Sequence, residues 1–214
     1  MSRRALRKPD PSLDLVPWLA TREQLPRPWN AVAVFGRIAP LEVELGSGKG
    51  LFLVSAAALR VEHNFLGLEV SAKYARHSAA RLAKARVGNA RVVHGDGLRV
   101  FHEVLPDESA TAIHVYFPDP WWKARHKKRR VMNEVFLRDA ERTLIQGGSL
   151  HFWTDVEEYF LAGLQVVAEV TRLSGPHDEP EQAPGHDLDY RTHFERRTRL
   201  AGQQVYRAVF YKPT

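Results

Sequence analysis

The sequence predicts an α/β fold: a doubly wound, mostly parallel sheet finished by an antiparallel strand at the C-terminus. Three observations carry this. Short apolar runs alternate with helical patterns from residue 41 onward, as a parallel sheet with right-handed crossovers requires. A glycine cluster, Gly46-Ser47-Gly48-Lys49-Gly50, follows the first of those runs, where the chain must turn from strand into helix. Acidic residues close five strands in succession: Glu44, Glu69, Asp96, Asp119 and Asp155. Ligands of such sheets gather at the carboxyl ends of the strands, so these acids outline one edge.

Each element has its own signal. Residues 1–30 read as an arm, because Pro9, Pro11, Pro17, Pro26 and Pro28 forbid a long helix. Its basic start, residues 1–10, reads as solvated chain, with Trp18 and Trp29 pinning the arm to the body. Residues 31–214 read as one domain. Leu41–Leu45 is the first strand, and a short helix after the glycines carries Leu51, Phe52, Ser55 and Leu59 to one side. Residues 65–69 form the second strand. Ser71 caps the next helix, with Tyr74, Ser78, Leu82 and Ala85 recurring at helical spacing. Strands follow at 91–94 and 112–117. Residues 132–144 predict a helix with Val135, Phe136, Ala140 and Leu144 inward, broken by Gly147-Gly148 before a strand at 150–154. A helix over Glu157–Val170 comes next. The Pro/Gly/acid-rich residues 174–189 read as a loop, and 204–211, rich in β-branched and aromatic residues, as the last strand.

Composition narrows the function. The 214 residues include 31 Lys+Arg against 25 Asp+Glu, a formal charge of +6, which favours a polyanionic partner. There is no cysteine, which removes disulfides, thiolate metal sites and cysteine nucleophiles. Of the ten histidines, His63, His77, His94, His102, His114 and His151 show no HExxH or paired spacing, so no metal is expected; His126 belongs to the basic run, and the others read as capped or surface groups rather than ligands. No apolar run reaches membrane-spanning length and no signal peptide is evident, so the expected compartment is the cytoplasm. Monomer and homodimer are both compatible with the sequence.

The glycine cluster excludes two common motifs. A P-loop needs glycine where Val43 stands and Ser or Thr where Gly50 stands. A dinucleotide fingerprint needs glycine at Leu51, which also disfavours a nucleotide-binding oxidoreductase. What remains is an acid, Glu44, two residues before three alternating glycines. Glu69 ends the next strand, where a carboxylate can hold ribose hydroxyls, and Asp96 follows the third. In this order the three acids resemble the class I S-adenosylmethionine-dependent methyltransferases, whose sheet is Rossmann-like.

Residues 117–130 sharpen that likeness. Phe117-Pro118-Asp119-Pro120-Trp121-Trp122-Lys123 sets one carboxylate between prolines, ahead of two tryptophans, and six Lys/Arg fall within residues 123–130. With Thr154-Asp155 and Arg191-Thr192-His193-Phe194-Glu195, this resembles the bacterial tRNA (guanine-N7-)-methyltransferase family, although His193 stands where that family has lysine. The resemblance covers residues 41–211. It implies methyl transfer from S-adenosylmethionine to N7 of a guanine in the variable loop of tRNA. It places Glu44, Gly46, Glu69, Asp96 and Asp119 at the cofactor, and Lys123, Asp155, Thr192, His193, Phe194 and Glu195 at the substrate. The basic run Arg125, His126, Lys127, Lys128, Arg129 and Arg130 reads as an RNA-phosphate surface.

Guanine N7 offers an in-plane lone pair and needs no deprotonation, so catalysis here is mostly placement, worth up to ~7–11 kcal/mol. Asp119 is the expected catalytic residue, accepting from the guanine N1–H and N2–H₂ edge and steadying charge that develops on the ring. One of Trp121 and Trp122 is expected to stack on a base and the other to close the core beneath. A ribosomal-RNA enzyme is the rival within the same chemistry. A non-catalytic RNA-binding protein on a decayed fold is a rival outside it, disfavoured because Glu44, Glu69 and Asp119 are all present.

Overall fold

The alternation from residue 41 builds an eight-stranded sheet in the computed structural model, which describes residues 10–179 and 190–214 except the side chains of Ala124 and Lys127. The strands are β1 (Leu19–Thr21), β2 (Leu41–Leu45), β3 (Asn64–Glu69), β4 (Ala90–His94), β5 (Ala110–Tyr116), β6 (Leu144–Thr154), β7 (Ser174–His177) and β8 (Tyr206–Tyr211). They lie in the order β1-β4-β3-β2-β5-β6-β8-β7. The pairs from β1 through β6 are parallel, and β8 runs antiparallel to both β6 and β7. Strand order reverses between β2 and β5, and the crevice outside their carboxyl ends is the expected ligand position.

Helices cover both faces. One face carries α2 (Leu51–Leu59) and α3 (Ala72–Ala85); the other carries α4 (Gly97–Glu103), α5 (Glu134–Thr143) and α6 (Glu157–Val170), with the short α1 (Ala31–Phe35) beside them. Side chains alternate along each strand. Val43, Ile113, Val115, Leu150 and Phe152 enter the core under α4–α6. Their neighbours Glu42, Glu44, His114, Tyr116, His151 and Trp153 therefore face α2, whose Phe52 packs on His114 and Tyr116.

Several expectations are corrected. Residues 174–177 are not loop but the edge strand β7; Pro176 is tolerated there because an edge needs no donor on its open side. The remainder of that expected loop, 180–189, and the basic start, 1–9, lie outside the described residues. Within the expected arm, β1 extends the sheet by pairing with β4, and Trp18 Nε1 donates to the Val87 carbonyl at 2.6 Å. The α3 stripe is buried through Ala75, Ser78, Ala79 and Leu82, whereas Ala85 is exposed. Leu59 and Val135, expected inside, are 83% and 66% exposed, because each lies off the stripe its helix turns inward. Gly147-Gly148 does not separate α5 from its strand. β6 starts at Leu144, directly after α5, and the glycines lie inside it at an irregularity in the β5 pairing, bound to Lys212 through N–H and C=O. The last strand starts at Tyr206, two residues later than expected. No helix among the described residues is long and apolar enough to cross a membrane.

Candidate active site at the strand ends

The carboxyl edge of the sheet is assembled by the turn after β2. Gly46, Gly48 and Gly50 all have positive φ (+85°, +52° and +69°), a backbone that side chains resist. Gly46 and Ser47 both donate to the Leu68 carbonyl of β3, at 2.8 and 3.0 Å. A Cβ at Gly50 would overlap the Ser78 hydroxyl, so glycine there lets α2 start against α3.

Two acids sit in this turn with opposite environments. Glu69 is buried and satisfied: one oxygen accepts from Gly48 N–H at 2.8 Å and the other from Ser71 N–H at 2.8 Å. It thus braces the glycine loop and the start of α3 together, and a carboxylate so placed retains lone pairs for further donors. Glu44 is also buried, but its Oε2 has no partner. Burial and the neighbouring Glu69 charge push the Glu44 carboxyl well above the usual carboxylate range. An unsatisfied buried oxygen is costly, and a donor or cation brought by a ligand is what this site lacks. Asp96, exposed at the end of β4, caps α4 by accepting from Leu98 N–H at 3.0 Å.

Beyond β5 the chain makes the Pro118–Pro120 turn. Phe117 and Trp121, on either side of it, have φ of +50° and +46°, unusual for aromatic residues; strain of this kind costs ~1–3 kcal/mol and collects at functional sites. Asp119 between them is exposed. The turn is fixed from both ends: Phe117 N–H donates to Trp153 O at 2.8 Å, and Arg130 Nε donates to Pro120 O at 2.8 Å. Arg130 is itself buried over the Tyr159 ring and paired with Glu158 at 3.3 Å. It therefore stands apart from Arg125, Lys128 and Arg129, which are exposed around the 3-10 turn Ala124–Arg129. Trp122 is 65% exposed. Trp121 is half-buried, edge-on to His126 and beneath the Arg129 guanidinium, and closes this turn rather than the core.

The third segment arrives on α7 (His193–Leu200), a helix absent from the sequence reading. Thr192 caps it by accepting from Glu195 N–H at 2.9 Å. Phe194 lies 5.1 Å from Phe117, ring to ring, which brings α7 beside the Asp119 turn. Glu195 is buried and accepts from Arg191 N–H at 2.6 Å and Arg199 Nη1 at 3.2 Å, with Arg207 of β8 3.6 Å away. Lys123 is exposed, and Asp155 half-buried past the end of β6. The structure thus gathers Glu44, Gly46, Glu69 and Asp96 on adjacent strand ends, with Asp119, Asp155 and the start of α7 following along the same edge.

Sequence reasoning missed the polar layer beneath. Glu42 takes a charged hydrogen bond from Arg60 at 2.5 Å and pairs with His63 Nδ1 at 2.7 Å and His114 Nε2 at 2.8 Å. His114 and His151, expected as capped or surface groups, stack at 4.9 Å, and His151 and Trp153 share the Glu179 carboxylate. The signal was the period-two spacing of Glu42 with Glu44 and of His114 with Tyr116, which puts each pair on one face of a buried strand. Among the described residues no group of His, Asp and Glu could hold a metal ion.

The chain matches a known family and known relatives along most of its length. The family described as "Putative methyltransferase" matches residues 38–208. A Rhodopirellula baltica protein named tRNA (guanine-N(7)-)-methyltransferase is 48% identical over 99% of this chain and 80% of its own length. One of the same name from Sodalis glossinidius is 36% identical over 87% and 78%. The crystal structure of the 16S rRNA methyltransferase KamB superposes with a TM-score of 0.62 at 15% identity, over 84% of this chain and 91% of that one, which is a likeness of fold. With its strand-end acids, its glycine turn and this identity, the chain belongs to the tRNA (guanine-N7-)-methyltransferase family.

Proposed function

We propose that this protein transfers a methyl group from S-adenosylmethionine to N7 of a guanine in the variable loop of tRNA, in the cytoplasm. The observation that carries the reading is the partnerless, buried Glu44 oxygen beside a glycine turn braced by Glu69. That pocket lacks a cationic or hydrogen-bond-donating group, and the amino-acid end and ribose of the cofactor are rich in both. Bound there, S-adenosylmethionine supplies a methyl group on a positively charged sulfur.

The remaining work falls to this chain's own residues. Glu44 and Gly46 receive the amino-acid end, Glu69 the ribose hydroxyls, and Asp96 the base edge. Asp119, beside the cofactor, accepts from guanine N1–H and N2–H₂ and fixes the ring so that its N7 lone pair faces the transferring carbon. No base is required, because that lone pair is already free. Lys123, Asp155, Thr192, His193 and Phe194 line the substrate side, and Arg125, His126, Lys128 and Arg129 meet phosphates; the side chain of Lys127, expected with them, lies outside the described residues. Arg130 and Glu195 serve that surface indirectly, Arg130 by holding the Pro120 carbonyl and Glu195 by tying α7 to β8.

The test is incubation with labelled S-adenosylmethionine and unmodified tRNA, followed by chemical cleavage at N7-methylguanine. Asp119→Asn should retain cofactor affinity while turnover collapses; near-normal turnover would remove Asp119 from the mechanism.

A further inference from the structure

A cavity of about 660 Å³ lies between α2, α3 and α7. It starts beside the first turn of α2 at Leu51 and runs back along that helix past Val54 to Ala58, reaching Ala85 at the end of α3. These residues give it an apolar floor. Among the described residues its charged lining is cationic, from Arg81, Lys84 and Arg196. Arg81 is partly desolvated, which alone lowers its affinity for its proton. The same field reaches His193: partial desolvation and the charges of Arg81, Lys49, His77 and Arg196 pull its imidazole down to about 4.

The Arg81 guanidinium, partly desolvated beside an apolar floor, has lost hydration that a bound anion replaces. A single phosphate would satisfy the rim but leave the floor unused. A nucleotide uses both, with its phosphate on the cations and the face of its base on the floor and the Arg81 guanidinium. The position favours the same RNA that meets Asp119. One turn of α7 sets His193 in this cavity and the next residue, Phe194, against Phe117.

We propose that the α2–α3–α7 cavity is a second docking site for tRNA, where Arg81, Lys84 and Arg196 hold a phosphate of the strand flanking the target guanine and the adjoining nucleotide rests on the apolar floor. The inference rests on the reading of the protein as a tRNA methyltransferase. It also accounts for His193 in place of lysine, since α3 supplies the positive charge that the neutral imidazole does not.

The test compares the parent with Arg81→Gln/Lys84→Gln, and with Lys84→Gln alone, which alters only an exposed residue of the last α3 turn. Cofactor affinity is measured by calorimetry, and binding of an unmodified tRNA transcript is measured across a salt series. The double variant should keep its cofactor affinity and its kcat at saturating tRNA. Its tRNA affinity should fall by about tenfold, with the log–log salt slope shallower by about one unit per charge removed. In the parent, the His193 resonance should titrate at higher pH once the transcript is bound. Unchanged affinity and slope in both variants would overturn the proposal. So would a His193 titration that responds to inorganic phosphate but not to tRNA, which would indicate a site for a free anion. A parent that leaves no N7-methyl mark on tRNA would instead overturn the underlying reading.

Discussion

Acid should destabilise this protein from inside its sheet, and the effect can be assigned to one histidine. His114 is buried, with Nε2–H donating to Glu42 at 2.8 Å and Nδ1 accepting from the Tyr116 hydroxyl at 3.0 Å. Both bonds suit the neutral ring, since burial keeps the phenol protonated as the donor. Burial first, and then the charges of His151 and Arg191 against the pull of Glu42, hold His114 down to about 4 from an ordinary 6.5. Between those pH values the unfolded chain binds a proton that the folded chain refuses. Stability conferred by the neutral ring is complete above pH 6.5 and falls as pH drops toward about 4. One proton changes stability by up to ~1.4 kcal/mol per pH unit, so the interval amounts to about 3 kcal/mol. Glu42 extends the loss further into acid. Burial opposes its charge, but the hydrogen bond from His114 and the charges of Arg60 and His63 pull it down to about 2. Glu44 works in the other direction: its folded value is raised, so its contribution is complete below the ordinary value and lost as pH rises through the folded one. Urea unfolding of the parent and of His114→Gln, followed by tryptophan fluorescence at steps across this range, separates these terms, because Glu44 and the surface acids are common to both. The parent should lose about 3 kcal/mol more than the variant between pH 6.5 and 4. Parallel pH curves would refute the buried neutral imidazole.

Three further outcomes follow from single contacts. Glu44→Gln should weaken S-adenosylmethionine binding by about tenfold to a hundredfold, the worth of one charge-assisted hydrogen bond. Because it also removes the repulsion from Glu69, the ligand-free variant should melt no lower than the parent; calorimetry and thermal unfolding report the two effects separately. Trp122→Ala should cost ~1–3 kcal/mol of tRNA affinity and leave unfolding within about 0.5 kcal/mol, since the indole is 65% exposed. Glu195→Ala should lower stability by about 3 kcal/mol in denaturant, because it strips the Arg191 amide and Arg199 of a buried acceptor and removes the carboxylate 3.6 Å from Arg207; a residue that only touched RNA would leave the denaturation midpoint in place.

Much of the site is legible in the sequence, because it is local in the chain. The glycines after Leu41–Leu45 mark a strand-to-helix turn wherever the strand lies, and an acid two residues before them must sit at that turn. The same holds for Glu69, for Asp96 and for Asp119 between its prolines. Errors arose where burial decides. Val135 and Leu59 fit a helical stripe within the precision of the pattern, yet they face outward, since which face turns inward depends on the neighbours packed there. The edge strand β7 carries no strand pattern of its own and exists because β8 offers it a backbone to pair with.

The sequence by itself determined the succession of the central strands, the acids at their ends, the basic stretch at residues 123–130 and the chemistry these imply. All of these are written in short segments whose meaning does not depend on distant partners. Only the tertiary structure decided which charges remain available. It satisfied Glu69 and left an oxygen of Glu44 unpaired; it turned Arg130 and Glu195 inward; it joined Glu42, His114, His151 and Glu179 beneath the site; and it set Arg81, Lys84 and Arg196 around one cavity. A side chain's partners come from segments tens of residues apart, and the free energy of a charge is fixed by those partners and by how much water they exclude.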